Sequence, residues 1–174
     1  MNRILIVIDM QEDFVSGVLG SSEAQAVVGP VRDLIAASKA EGASVYYTMD
    51  THPAGAEGEG SDQEAIRIPP HCVKDTDGWQ IVSGVKPAAE DVLVEKPGFL
   101  SLGLPDAIGP IAPDAVIELC GVCTDICVVS NALYLRARYP DNVIVVHEAC
   151  CAGTSAVNHE AALSVMRSCL IDVK

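Results

Sequence analysis

The sequence predicts an α/β fold: one parallel sheet with helices packed on both of its faces. Three observations lead there. Short β-branched runs alternate with longer segments of helical spacing. The runs are continuously apolar rather than alternating, as in strands buried on both sides. The length, 174 residues, allows one sizeable core and is too short for two. Residues 1–174 are therefore expected to form a single domain with a sheet of about six strands.

The elements follow in order. Ile4–Ile8 reads as the first strand and Ser44–Thr48 as the second. Asp91–Glu95, Ala115–Cys120 and Asn142–His147 follow, and Leu170–Val173 supplies a short last one. Val31–Glu41 reads as a helix that starts after Pro30 and stops at Gly42. Leu104–Ile111 supplies a short helix, Asp125–Tyr139 a longer one that ends before Pro140, and Ser155–Ser168 another. His52 to Trp79 is rich in Gly, Pro and charge and lacks periodicity. A loop of that length in a compact domain is functional or disordered, and two of the four histidines within it favour function.

Composition excludes several classes. The net charge is −13 and no Lys/Arg cluster is present, so nucleic acid and anionic membrane are poor partners. The opening MNRILIVIDM has an apolar run too short for a signal peptide, and Asp9 breaks it. No stretch reaches the length of a membrane span. A cytoplasmic location is expected, with the seven cysteines mostly reduced. Their odd number also argues against a complete disulfide framework.

In open parallel sheets, ligands bind beyond the carboxyl ends of the strands. Asp9 ends the first strand, and Asp50 with His52 follows the second. Glu95 and Lys96 end the third; Cys120 ends the fourth, with Gly121 turning the chain toward Cys123 and Cys127. Thr124 suits a helix N-cap and Asp125 a first turn, which would set the Cys127 sulfur near unsatisfied N–H groups and lower its pKa. The helix end contributes roughly 0.3–1 kcal/mol, whereas one pKa unit is about 1.4 kcal/mol. A base or cation must therefore help, and Asp9 and Lys96 are the candidates. Metal and redox readings of the cysteines are weaker. Cys123 and Cys127 lack the Cys-x-x-Cys spacing, Cys120 lies within a strand, and adjacent Cys150 and Cys151 chelate poorly. Cys72, Cys150, Cys151 and Cys169 read as buried structural residues.

These residues resemble the isochorismatase-like cysteine hydrolases, and among them the nicotinamidases. The resemblance rests on ILIVIDMQEDF (4–14), YTMDTHP (47–53), PPHCVKDTDGW (69–79), VEKPGF (94–99) and GVCTDICV (121–128). It implies a three-layer sandwich, a dimer or larger homo-oligomer, and a catalytic triad of Asp9, Lys96 and Cys127. It also implies a cis peptide before Cys123, with the backbone N–H groups of Cys123 and Cys127 facing the oxyanion. The implied chemistry is hydrolysis of a small amide through a thioester. Asp50, His52 and His71 match metal ligands and Glu64 a carboxylate some members add. The implied cofactor is a divalent metal, zinc first, with manganese or iron as alternatives.

Three departures from the family pattern fall near the substrate. Cys123 stands where alanine is usual, Ile126 where an aromatic is common, and PGFLSLGL replaces an aromatic-rich stretch after Lys96. Phe14, Leu19, Trp79 and Phe99 are candidate pocket walls. His147 and His159 match nothing in the pattern, and His159 reads as a helix-surface residue. Nicotinamide is the leading substrate. An N-carbamoyl or ureido compound is the second reading, and a non-catalytic metal-binding or redox-sensing protein is the third. A nucleotide-binding fold is weakest, because no Gly-rich loop follows the first strand.

Overall fold

The computed structural model describes residues 3–55 and 63–174, so the middle of the His52–Trp79 segment lies outside the described residues. Six parallel strands form one sheet: β1 (Arg3–Ile8), β2 (Ser44–Asp50), β3 (Val92–Lys96), β4 (Val116–Val122), β5 (Val143–Ala152) and β6 (Asp172–Val173), in the order β3-β2-β1-β4-β5-β6. The apolar runs of the inner strands β1 and β4 are buried on both faces, as expected, whereas edge strand β3 leaves Val92 and Leu93 exposed. Along β1, Leu5 and Val7 pack into one core while Ile4, Ile6 and Ile8 pack into the other. Each such side chain contributes about 1.5–3 kcal/mol when fully buried.

Seven α-helices cover the sheet among the described residues. Helices α1 (Glu12–Val15), α2 (Ser22–Ala26) and α3 (Val28–Ala40) lie on the Leu5 face. Helices α5 (Leu104–Ile108), α6 (Val129–Arg138) and α7 (Ala156–Ser168) lie on the Ile6 face. Helix α4 (Gln63–Arg67) lies within the long segment after β2. Helix α3 begins ahead of its predicted start and takes in Pro30, because a first-turn N–H has no intrahelical partner to lose. Helices α1, α2 and α4 are too short to show helical periodicity and were not predicted. Strand β5 runs past His147 because its pairing with β4 slips: Leu119 faces Val146, yet Gly121 faces Cys151. Cys169 is exposed, against the expectation of burial.

The sheet order reverses direction between β1 and β4. At such a switch point the connections leave on opposite faces and a crevice opens at the carboxyl edge. Strand register brings the candidate residues there together. Ile8 pairs with Thr48 and with Gly121, while Asp50 pairs with Lys96. Gly121 is required at this point: its φ is 116°, and a Cβ would come within 2.1 Å of the Ile8 carbonyl oxygen.

Candidate active site

Asp9 follows β1 directly and is fully buried. One carboxylate oxygen accepts a hydrogen bond from Thr48 Oγ1 at 2.6 Å, and the other lies 2.8 Å from Lys96 Nζ. Lys96 closes β3, and its ammonium also sits 3.2 Å from Asp50 Oδ1 and donates to the Gly98 carbonyl at 2.8 Å. It approaches Cys127 Sγ to 3.7 Å. The three predicted side chains thus meet beyond the ends of β1, β3 and β4.

The electrostatics differ from the sequence expectation. Burial pushes the Cys127 thiol well up, the Asp9 carboxylate adds to that, and Lys96 opposes it. A lowered thiol pKa was expected at a helix start; desolvation outweighs the cation here. Burial also raises the Asp9 carboxyl, against Lys96. Lys96 is driven the other way: burial would lower it, but Asp9, Cys127 and Asp50 together hold it charged. The resulting resting arrangement is a neutral thiol beside a buried base and a fixed cation.

The chain reaches Cys127 through a π-helical turn, Thr124–Val128, that runs into α6. Its N-cap is Cys123, which gives no side-chain cap, so Thr124 is not the cap its residue type suggested. Thr124 Oγ1 instead pairs with His159 Nδ1 at 2.9 Å, so His159 is half-buried and not a free helix-surface residue. Asp125 accepts from Thr154 N at 2.7 Å, which fastens the turn to the start of α7. The Val122–Cys123 peptide is cis, as the resemblance implies. Burial raises the Cys123 thiol to about 12, with Asp125 and Asp9 adding to it.

The four expected metal ligands also converge. Asp50 Oδ2 lies 3.1 Å from His52 Nε2 and 3.3 Å from His71 Nε2, and Glu64 Oε1 lies 3.6 and 3.5 Å from the same nitrogens. Their ligand atoms all fall within 4.8 Å of one another. His71 Nδ1 sits 2.8 Å from the Pro69 carbonyl, so its N–H donates there and Nε2 keeps a lone pair for an ion. Hydrogen bonds to Asp50 and Glu64 raise His52 to about 9. Burial would lower His71, but the same two carboxylates take it to about 10. Asp50 is held well below the usual carboxylate range, its burial outweighed by the two histidines and Lys96. Two imidazoles and two carboxylates in this geometry form a donor set that fits a zinc-like divalent ion.

A cavity of about 430 Å³ opens beside both clusters, with Cys127 and Cys123 on one wall and His71 and Glu64 on another. Phe14, Leu19 and Phe99 line it as expected, joined by Ile68 and Ile126. Trp79 does not. Its indole N–H donates to Thr51 Oγ1 at 2.9 Å and its ring packs against the α1–α3 core.

Several supporting residues escaped the sequence reading. Gln11 donates to the Asp50 carbonyl at 2.9 Å and accepts from the Asp50 N–H at 2.7 Å, fixing that backbone. Asp13 accepts from Cys72 N at 2.8 Å, next to His71. Asn131 donates to the Cys127 carbonyl at 2.8 Å and to the Phe99 carbonyl at 3.1 Å, joining the cysteine turn to the lysine loop. A Gln and an Asp within MQEDF, directly after the first strand, were the available signal for two of them.

Comparison with known proteins bears on this geometry. The isochorismatase domain family matches residues 3–173. A nicotinamidase of Schizosaccharomyces pombe is 28% identical over 97% of this chain and 91% of its own length. A streptothricin hydrolase of Streptomyces noursei is 30% identical over 75% of this chain, which spans only 43% of that protein. The crystal structure of nicotinamidase/pyrazinamidase PncA from Bacillus subtilis superposes with a TM-score of 0.84 at 27% identity, over 99% of both chains. With the family's domain matching residues 3–173, from β1 to β6, the chain belongs to the isochorismatase family.

Proposed function

We propose that this protein is a cysteine amidohydrolase that converts nicotinamide to nicotinic acid and ammonia. It is a hydrolase acting on amide bonds, with Cys127 as nucleophile, Asp9 as base and Lys96 as the cation that orients both. The observation that supports this reading best is the single ammonium, Lys96 Nζ, within 2.8 Å of Asp9 and 3.7 Å of Cys127. Asp9 takes the thiol proton as sulfur attacks the carbonyl carbon. The backbone N–H groups of Cys123 and Cys127 face the oxyanion. Collapse breaks the C–N bond, and Asp9 returns its proton to the departing ammonia. Water then adds to the thioester with Asp9 again as base, and the acid and thiol are released. Asp50, His52, Glu64 and His71 would hold a divalent ion, zinc first, whose chemistry there is to take a lone pair of the substrate or of water. A homo-oligomer and a cytoplasmic location accompany this reading on the family resemblance.

A second reading is a different small amide, such as an N-carbamoyl or ureido compound. The aliphatic Ile68 and Ile126 on the cavity wall, where a flat ring would gain from aromatic neighbours, favour it. Ammonia release from nicotinamide and from a panel of small amides separates the two. Turnover of nicotinamide above the rest of the panel supports the first reading; turnover of an N-carbamoyl compound alone supports the second. No release from any amide overturns both.

A further inference from the structure

Helix α4 brings two charged side chains to the cavity beside Cys127. Glu64 joins the histidine cluster; Arg67, three residues on, closes the helix and lines the same cavity as Cys127. Arg67 is the one Lys or Arg among the described residues that line this cavity, which His71 and the Glu64 carboxylate also line. Arg67 is itself exposed, and the cavity it lines is largely apolar, with Phe14, Leu19, Ile68, Phe99 and Ile126 in its walls. Among the described residues no carboxylate pairs with it, although the protein carries a net charge of −13. Most other cations are satisfied: Arg3 by Glu118, Lys39 by Asp91, Lys74 by Glu95, and Arg167 by Glu148. A guanidinium left without a partner among the described residues of an acidic chain, at the wall of a catalytic-type cavity, is available for an anion brought in by the substrate.

We infer that Arg67 is a specificity-determining residue, and that the substrate is a small amide that also carries a carboxylate. The inference rests on the amidase reading and narrows its substrate class. The amide carbonyl meets Cys127, the apolar walls hold the body, and the guanidinium takes the carboxylate through its planar, two-pronged donor set. A point charge on a flexible stem replaces this geometry only in part.

The test uses the zinc-loaded Cys127→Ala protein, which cannot turn substrate over, and calorimetric titration. The probes are the monoamides of succinic acid and of benzene-1,4-dicarboxylic acid, each beside its methyl ester. For at least one pair the acid is expected to bind about tenfold tighter than the ester, the scale of one charge-assisted pair. That preference should shrink with added salt. It should fall to about one in Cys127→Ala/Arg67→Gln and be partly kept in Cys127→Ala/Arg67→Lys. Equal affinities, no binding of either acid, or a preference that survives Arg67→Gln would overturn the inference. Ammonia release by the wild type from neutral amides reports the amidase reading separately, so the two fail in different ways.

Discussion

Lys96 is the side chain on which both clusters depend. It is buried with Asp9 on one side and Asp50 on the other, so removing it leaves two buried carboxyls without their cation. Lys96→Met is expected to cost about 3–5 kcal/mol in urea unfolding, the scale of breaking a buried pair. Amide turnover should fall by about 10²-fold or more, since Asp9 and Cys127, the proposed base and nucleophile, lose their common partner. A variant as stable and as active as the wild type would contradict both roles. Asp9, Asp50, His52 and Lys96 were legible because strand ends in a parallel sheet share one edge, so position alone gathers them. Trp79 and Thr124 were not. Their side chains are turned by Thr51 and His159, residues distant in sequence, and nothing local announces those partners.

At the scale of elements, β1 and β4 must approach closely for Asp9 to meet Cys127. Gly121→Ala drives a methyl into the Ile8 carbonyl, and a loss of about 1–3 kcal/mol is expected on thermal unfolding. The Asn131 bridge from the cysteine turn to the Phe99 carbonyl predicts that Asn131→Ala leaves buried carbonyls unmet, costing about 1–3 kcal/mol. Glu118 on β4 ties the same strands from the other end, 2.6 Å from Arg3 of β1 and 3.0 Å from His147 of β5. Burial alone would raise the Glu118 pKa, but hydrogen bonds from His147 and Arg3 outweigh it and hold the carboxyl low. A carboxyl lowered in the folded state stabilises above its unfolded pKa, near ~4.3, and loses that contribution as pH falls through the folded value. Glu118→Gln should therefore be less stable than wild type at neutral pH, with the gap closing below about pH 4. Equal stability at neutral pH would refute the pairing. The inner strands were readable because burial on both faces makes their sequence almost uniformly apolar. The π-helical turn, the slip in β5 and the four- and five-residue helices were not, since each is shorter than the period that would reveal it.

Across the whole molecule, the cluster of Asp50, His52, Glu64 and His71 ties the end of β2 to α4 and to the segment around His71, far apart in sequence. An ion bound only in the folded state stabilises it, by about 2.7 kcal/mol at a hundredfold excess over Kd. Zinc is expected to raise the Tm of the wild type and to leave that of His71→Ala nearly unchanged; a rise of equal size in both would place the ion elsewhere. The architecture as a whole was legible from the alternation of runs, whereas the occupant of the cavity was not, because Ile68, Arg67 and Ile126 come from a loop, a short helix and the cysteine turn that only folding assembles. The central claim is that Cys127 is the nucleophile of an amidase. Ammonia release from the best amide of the panel, measured for the metal-loaded wild type beside Cys127→Ala, tests it most directly. Release by the wild type with a loss of about 10³-fold or more in the variant is the expected result. Equal release by both, or none from any amide by the wild type, would contradict it.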